Sequence, residues 1–207
     1  MREAGNIRQI AALNPDYMGF IFYPLSVRYF GSDYDLIANI PGNIEKVGVF
    51  VNEQPKRIVE IAQKCGLNAI QLHGSEPPED CRHLKDNGLK VIKAFGVHGL
   101  FNFTVPEDYS SVCDFFLFDT KTEKYGGSGE KFDKDLIDLY NMKNPFFLSG
   151  GIDPGDIEYI RQIDHPGFYA VDLNSRFETQ PGIKDFQSVR NFINEIRGLS
   201  SQQTKKI

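Results

Sequence analysis

Short apolar runs recur along the chain and alternate with longer amphipathic stretches. Met18–Phe22, Val47–Val51, Ala69–Leu72, Val91–Phe95, Phe115–Phe118, Phe146–Leu148 and Phe168–Val171 are brief and rich in β-branched and aromatic residues, the pattern of strands. Phe115–Phe118 is apolar at four consecutive positions, as in strands covered on both faces within a parallel sheet. Pro55–Cys65 lies between two such runs and gathers Ile58, Val59, Ile61 and Ala62 on one face behind a proline start, which predicts a helix. Pro78–Asn87, Phe132–Tyr140, Pro154–Ile163 and Asp185–Ile196 read the same way. A further helical pattern (Ile7, Ile10, Ala11, Leu13) precedes the first strand.

Strands alternating with helices through short connections predict an α/β chain with a parallel sheet. The pattern yields seven strands. An open doubly wound sheet can begin with a helix, whereas a (β/α)8 barrel needs eight strands and would have its first upstream of Met1. No linker or repeat divides residues 1–198, so one domain is expected, followed by a polar tail, 199–207, read as frayed.

Composition narrows the class. Hydrophobic residues form 41% and charged residues 25% of the 207, with a net charge of −5, which is ordinary for a globular protein and gives no electrostatic reason to expect nucleic acid. No apolar run approaches the about 20 residues of a membrane span, and no signal-like apolar region follows Met1. Cys65, Cys81 and Cys113 lack CxxC spacing, and His73, His83, His98 and His165 show no i, i+4 pair. Neither a disulfide framework nor a metal site is expected, and the chain reads as cytoplasmic.

Candidate chemistry falls just after the predicted strands: Arg28 after the first, His73 after the third, Asp119 at the end of the fifth, Ser149-Gly150-Gly151 after the sixth, and Asp172 with Asn174-Ser175 after the seventh. In a parallel barrel these ends share one rim. Asp119 before the glycine-rich stretch Gly126-Gly127-Ser128-Gly129 reads as a catalytic acid under a flap, or as a helix N-cap or loop aspartate of the kind common where strands stop. Gly150 and Gly151 before Asp153-Pro154 read as an anion cradle at a helix start, or as an ordinary two-glycine turn. Arg28 can clamp an anion or lie on the surface. His73 can act at the rim or be a hydrogen-bonded bystander, and Gln71 reads as packing.

Taken together, Phe118-Asp119-Thr120-Lys121 with Gly126-Gly127-Ser128-Gly129, Leu148-Ser149-Gly150-Gly151, Val47-Gly48-Val49-Phe50-Val51-Asn52, Gln71-Leu72-His73-Gly74 and Ala170-Val171-Asp172 resemble, in order and spacing, the phosphoribosylanthranilate isomerase family. The resemblance runs from Met1 to about Gly198. It implies a (β/α)8 TIM barrel of tryptophan biosynthesis that needs no cofactor or metal and acts on a small phosphosugar, as a monomer or homodimer. The implied reaction is the Amadori rearrangement of N-(5-phosphoribosyl)anthranilate to 1-(2-carboxyphenylamino)-1-deoxyribulose 5-phosphate. By resemblance Asp119 is the general acid that opens the furanose ring, Arg28 holds the anthranilate carboxylate, and Asp172 contacts the bridging nitrogen or sugar. His73 and Gly127 join the substrate site, the loop from Lys124 to Gly129 closes over it, and Ser149, Gly150, Gly151, Asn174 and Ser175 hold the phosphate.

The chain departs from the family at two places. The family's general base is a cysteine at the end of the first strand, in a Lys-(Ile/Val)-Cys-Gly motif directly before a segment like Met1-Arg2-Glu3. That strand and its cysteine are expected to be missing, which leaves two unpaired sheet edges at Met18–Phe22 and Phe168–Val171, and the chain as it stands is expected to be inactive or a phosphosugar-binding pseudoenzyme. Arg176 replaces the usual glycine of a Ser-Ser-Gly turn, beside the expected phosphate site.

Overall fold

The computed structural model describes residues 1–97, 101, 104–120, 137–198 and 206–207. Seven parallel strands run in the order of the chain: β1 (Tyr17–Ile21), β2 (Glu45–Phe50), β3 (Ala69–Leu72), β4 (Lys90–Val97), β5 (Phe115–Thr120), β6 (Phe146–Ser149) and β7 (Phe168–Val171). The helices are α1 (Ala4–Ala11), α2 (Tyr34–Ala38), α3 (Pro55–Cys65), α4 (Pro78–Asp86), α5 (Ile157–Arg161) and α6 (Phe186–Arg197). In α3, Ile58, Ile61, Ala62 and Cys65 face the sheet, Pro55 supplies the start, and Gly66 ends the helix at φ 61°. That left-handed cap suits glycine. Asp185 caps α6 by accepting from the Ser188 N–H at 2.8 Å.

Side chains alternate across the curled sheet. Val47, Ala69, Ile92, Ala94, Leu117, Phe147 and Ala170 pack together on its inner side, while Phe20, Phe50, Leu72, Phe116 and Leu148 pack outward against the helices. The inner side is filled by its own side chains, so the ends of the strands are left to carry chemistry.

The two edge strands are drawn together. The Tyr17 and Tyr169 hydroxyls meet at 2.9 Å. Lys206 and Ile207 enter the gap: the Ile207 carbonyl accepts from Asp16 N and Tyr17 N at 2.7 and 3.0 Å, and the Lys206 carbonyl accepts from Val171 N at 3.0 Å. Ile207 is buried. Toward the other end, the Met1 amino group donates to the Gly19 carbonyl at 3.1 Å.

Several expectations change. The last two residues are held in the seam rather than frayed, because the backbone groups of two strand edges offer them partners. The helix expected over 154–163 divides into a 3-10 turn, Pro154–Asp156, and the short α5. A hairpin, β8 (Glu178–Gln180) with β9 (Ile183–Lys184), and helix α2 are additions. Most of the helix expected over Phe132–Tyr140 lies outside the described residues.

Candidate active site

The strand ends converge as the barrel reading requires. Asp119 stands opposite Gly96 of β4 and Ser149 of β6 in the sheet register. His73 follows β3 and turns its Nε2 to within 3.2 Å of Asp119 Oδ2. Its Nδ1 faces Gln71 Nε2 at 3.1 Å, so Gln71 orients the imidazole instead of merely packing. An imidazole held from both nitrogens beside a carboxyl can pass or share a proton with it.

Ser149, opposite Asp119 in the sheet register, reaches the second carboxylate. Its hydroxyl donates to Asp172 Oδ2 at 2.9 Å. Burial raises the Asp172 pKa, and the Asp119 charge adds to the rise, against the pull of Lys184 and the Ser149 hydrogen bond. Lys184 is itself lowered by burial, with Glu178 and Asp172 opposing. The Met1 amino group is lowered to about 5, chiefly by burial and then by Lys184. Glu178 and Lys184 are thus a largely covered pair, while His73 and Asp119 keep part of their surface open to solvent.

Arg28 is not a free cation on the surface. Its Nε donates to Glu178 Oε2 at 2.8 Å, and Lys184 shares the same carboxylate at 3.3 Å. Glu178 comes from the hairpin that follows β7 and lies 150 residues from Arg28 in sequence. Only the Nε edge is engaged by Glu178, and the guanidinium fork has further N–H groups for a planar anion.

The glycines after β6 adopt left-handed geometry, with φ 92° at Gly150 and 69° at Gly151. Asp153 caps the next turn by accepting from Gly155 N at 2.7 Å, while Asp153 N donates to Asp156 at 2.9 Å. Asn174 is less available than expected, since its carbonyl and its Oδ1 accept from Lys184 Nζ at 3.0 and 3.1 Å. Lys184 is thus a cation of this rim, and Ser175 and Arg176 are exposed beside it. Gly127 and the loop from Lys124 to Gly129 lie outside the described residues.

Among the described residues no group of three or more His, Cys, Asp or Glu could hold a metal ion. No helix of them is long and apolar enough to cross a membrane. Cys65, Cys81 and Cys113 are buried in the layer between sheet and helices, away from the carboxylates at the rim.

The family model of N-(5'phosphoribosyl)anthranilate (PRA) isomerase matches residues 1–195. The chain belongs to the phosphoribosylanthranilate isomerase family. It is 45% identical over 197 residues to the N-(5'-phosphoribosyl)anthranilate isomerase of Phocaeicola vulgatus, covering 95% of each chain. A solved phosphoribosyl anthranilate isomerase in complex with reduced 1-(o-carboxyphenylamino)-1-deoxyribulose 5-phosphate superposes with a TM-score of 0.80 at 32% identity, over 96% of both chains. Monomers of the dimeric phosphoribosylanthranilate isomerase of Thermotoga maritima superpose at 0.75 and 32% identity, again over 96% of both. The fold is accordingly the TIM barrel, and the activity of the family is an intramolecular isomerisation in tryptophan biosynthesis.

For this isomerase fold, the motif residues His73, Asp119, Ser149 and Asp172 come together. Glu178 and Lys184 were not singled out from the sequence, because a charged pair in a short hairpin looks like a solvated loop. The one available signal was two opposite charges, three residues before and two residues after Pro181-Gly182, a turn signature that brings its flanks face to face.

Proposed function

We propose that Asp119 is the general acid of the rearrangement and that His73 orients and partners it. N-(5-Phosphoribosyl)anthranilate enters with its ring oxygen toward Asp119, which donates the proton that opens the furanose to an iminium. A base then removes the C2′ proton to give the enolamine, which tautomerises to the ketone. The N–H groups that Glu178 leaves on Arg28 take the anthranilate carboxylate. Asp172, kept near the sugar by Ser149, contacts the bridging nitrogen. The phosphate lies against the backbone of Gly150, Gly151 and Ser175, with Asn174 held at its side by Lys184. Gly127 and the loop around it cover the substrate.

The observation that carries this reading is the 3.2 Å approach of His73 Nε2 to Asp119 at the end of β5. The enzyme acts in the cytoplasm as a monomer or homodimer and uses no cofactor. Cys65, Cys81 and Cys113 are buried behind the sheet, so none of the three is the base that takes the C2′ proton.

The test compares residues 1–207 with the same residues preceded by a strand bearing Lys-Val-Cys-Gly. Turnover of N-(5-phosphoribosyl)anthranilate is expected only in the extended form. Equal turnover in both would place the base elsewhere, and turnover in neither would overturn the reading.

A further inference from the structure

A second cluster of charges lies on the other side of the sheet from the acid, and the isomerisation as described makes no use of it. Lys93 of β4 and Glu76 are 2% and 3% exposed, with Nζ to Oε2 at 3.0 Å. Lys93 pairs in register with Leu72 and Phe116, both in the outer layer, so its side chain leaves the barrel interior. Its Nζ donates to the Gly74 carbonyl at 2.8 Å and reaches the Leu72 carbonyl at 3.3 Å. Those two carbonyls flank His73. Glu76 completes the hold by accepting from Gly74 N at 3.0 Å and from Asn52 N at 2.8 Å. Asn52 Oδ1 in turn accepts from Ser75 N at 2.7 Å, and the Tyr109 hydroxyl donates to the Glu76 carbonyl at 3.0 Å.

We infer that Lys93 and Glu76 are positioning residues, which clamp the backbone on both sides of His73 and so fix its imidazole against Asp119. Stability alone does not call for an ion pair here, since well-packed apolar groups often serve as well or better in a buried site. The Leu72 and Gly74 carbonyls and the Gly74 and Asn52 amides, however, need polar partners, and this pair supplies them. The packing has no slack: a Cβ at Gly74 would lie 2.3 Å from Asn52 Oδ1 and 2.7 Å from Glu76 Oε1. The inference rests on the assignment of His73 and Asp119 to the proposed reaction, although its test needs no turnover.

The test uses the imidazole 15N shifts of His73 in the ligand-free chain and the affinity for reduced 1-(o-carboxyphenylamino)-1-deoxyribulose 5-phosphate. Lys93→Met combined with Glu76→Gln removes both charges together. It is expected to move the His73 shifts and to weaken the analogue about fivefold or more. Asn52→Gly cuts the link to Ser75 without touching a buried charge, and is expected to act in the same direction to a smaller extent. It keeps the question open to decision if the double variant does not fold. A merely structural role would lower the melting temperature and leave the His73 shifts where they were. Unchanged shifts and affinity in a folded variant overturn the clamp, while absence of turnover in the extended parent overturns only the reaction assignment.

Discussion

His73 Nε2 and Asp119 Oδ2 are 3.2 Å apart, joining the third and fifth strands across the rim. The imidazole can donate to the carboxylate left after Asp119 gives up its proton, which stabilises that product of the first step. Asp119→Asn in the cysteine-bearing form should keep affinity for the product analogue and lower kcat by about 10²-fold or more. Steady-state kinetics check it, and near-normal turnover would remove Asp119 from the acid role.

Asp172 makes stability depend on pH. Burial raises its folded pKa above the unfolded value of about 3.9. Between those two values the folded chain binds the extra proton, so stability falls as pH rises through the window and stays lower above it. Asp172→Asn removes that charge while keeping an acceptor for Ser149. The variant should melt higher than the parent at pH 7.5, with the difference closing toward pH 4. A constant offset at both pH values would contradict the assignment.

Gly151 tests the anion cradle. At φ 69° an added Cβ meets nothing within 4 Å, so Gly151→Ala meets only the left-handed backbone penalty of about 1 kcal/mol. The chain should fold with a slightly lower melting temperature and bind inorganic phosphate more weakly, as calorimetry would record. Unaltered phosphate affinity would move the anion site away from this turn.

The seam makes a stability prediction. Deleting Lys206 and Ile207 exposes Asp16 N, Tyr17 N and Val171 N and removes a buried isoleucine. About 2 kcal/mol of apolar burial and about 1 kcal/mol for each of the three stranded amides put the loss on the order of 5 kcal/mol. Chemical denaturation should show the shift, and a midpoint within error of the parent would mean that these residues contribute little.

The strands were legible because each is a short apolar run between polar stretches, and all seven lie where the runs predict. The rim residues were legible as motifs at strand ends. What escaped was set by contacts between distant parts of the chain. Nothing near Arg28 announces Glu178, and Glu76 before Pro77-Pro78 looks like a solvated turn until Lys93 arrives from the next strand. Lys206 and Ile207 close a stretch that is polar in sequence, yet their backbone finds a place because two strand edges lie beside it. Gln71 points the same way: alternation along β3 turns it inward, where an amide among carboxylates and an imidazole is a hydrogen-bonding partner rather than packing.

The meeting of Asp16 with Ile207 spans 191 residues, whereas consecutive strands pair across 21 to 30. Loop entropy grows by about 0.6 kcal/mol for each doubling of length, so this contact costs about 1.5 kcal/mol more to close than any neighbouring strand pair. The sheet can therefore assemble from one strand to the next as a growing ribbon, with the seam joined last. Order of formation is then written into the connectivity: the rim that holds Asp119 and His73 belongs to the early middle of the ribbon, and circular closure comes as the final, least local event of folding.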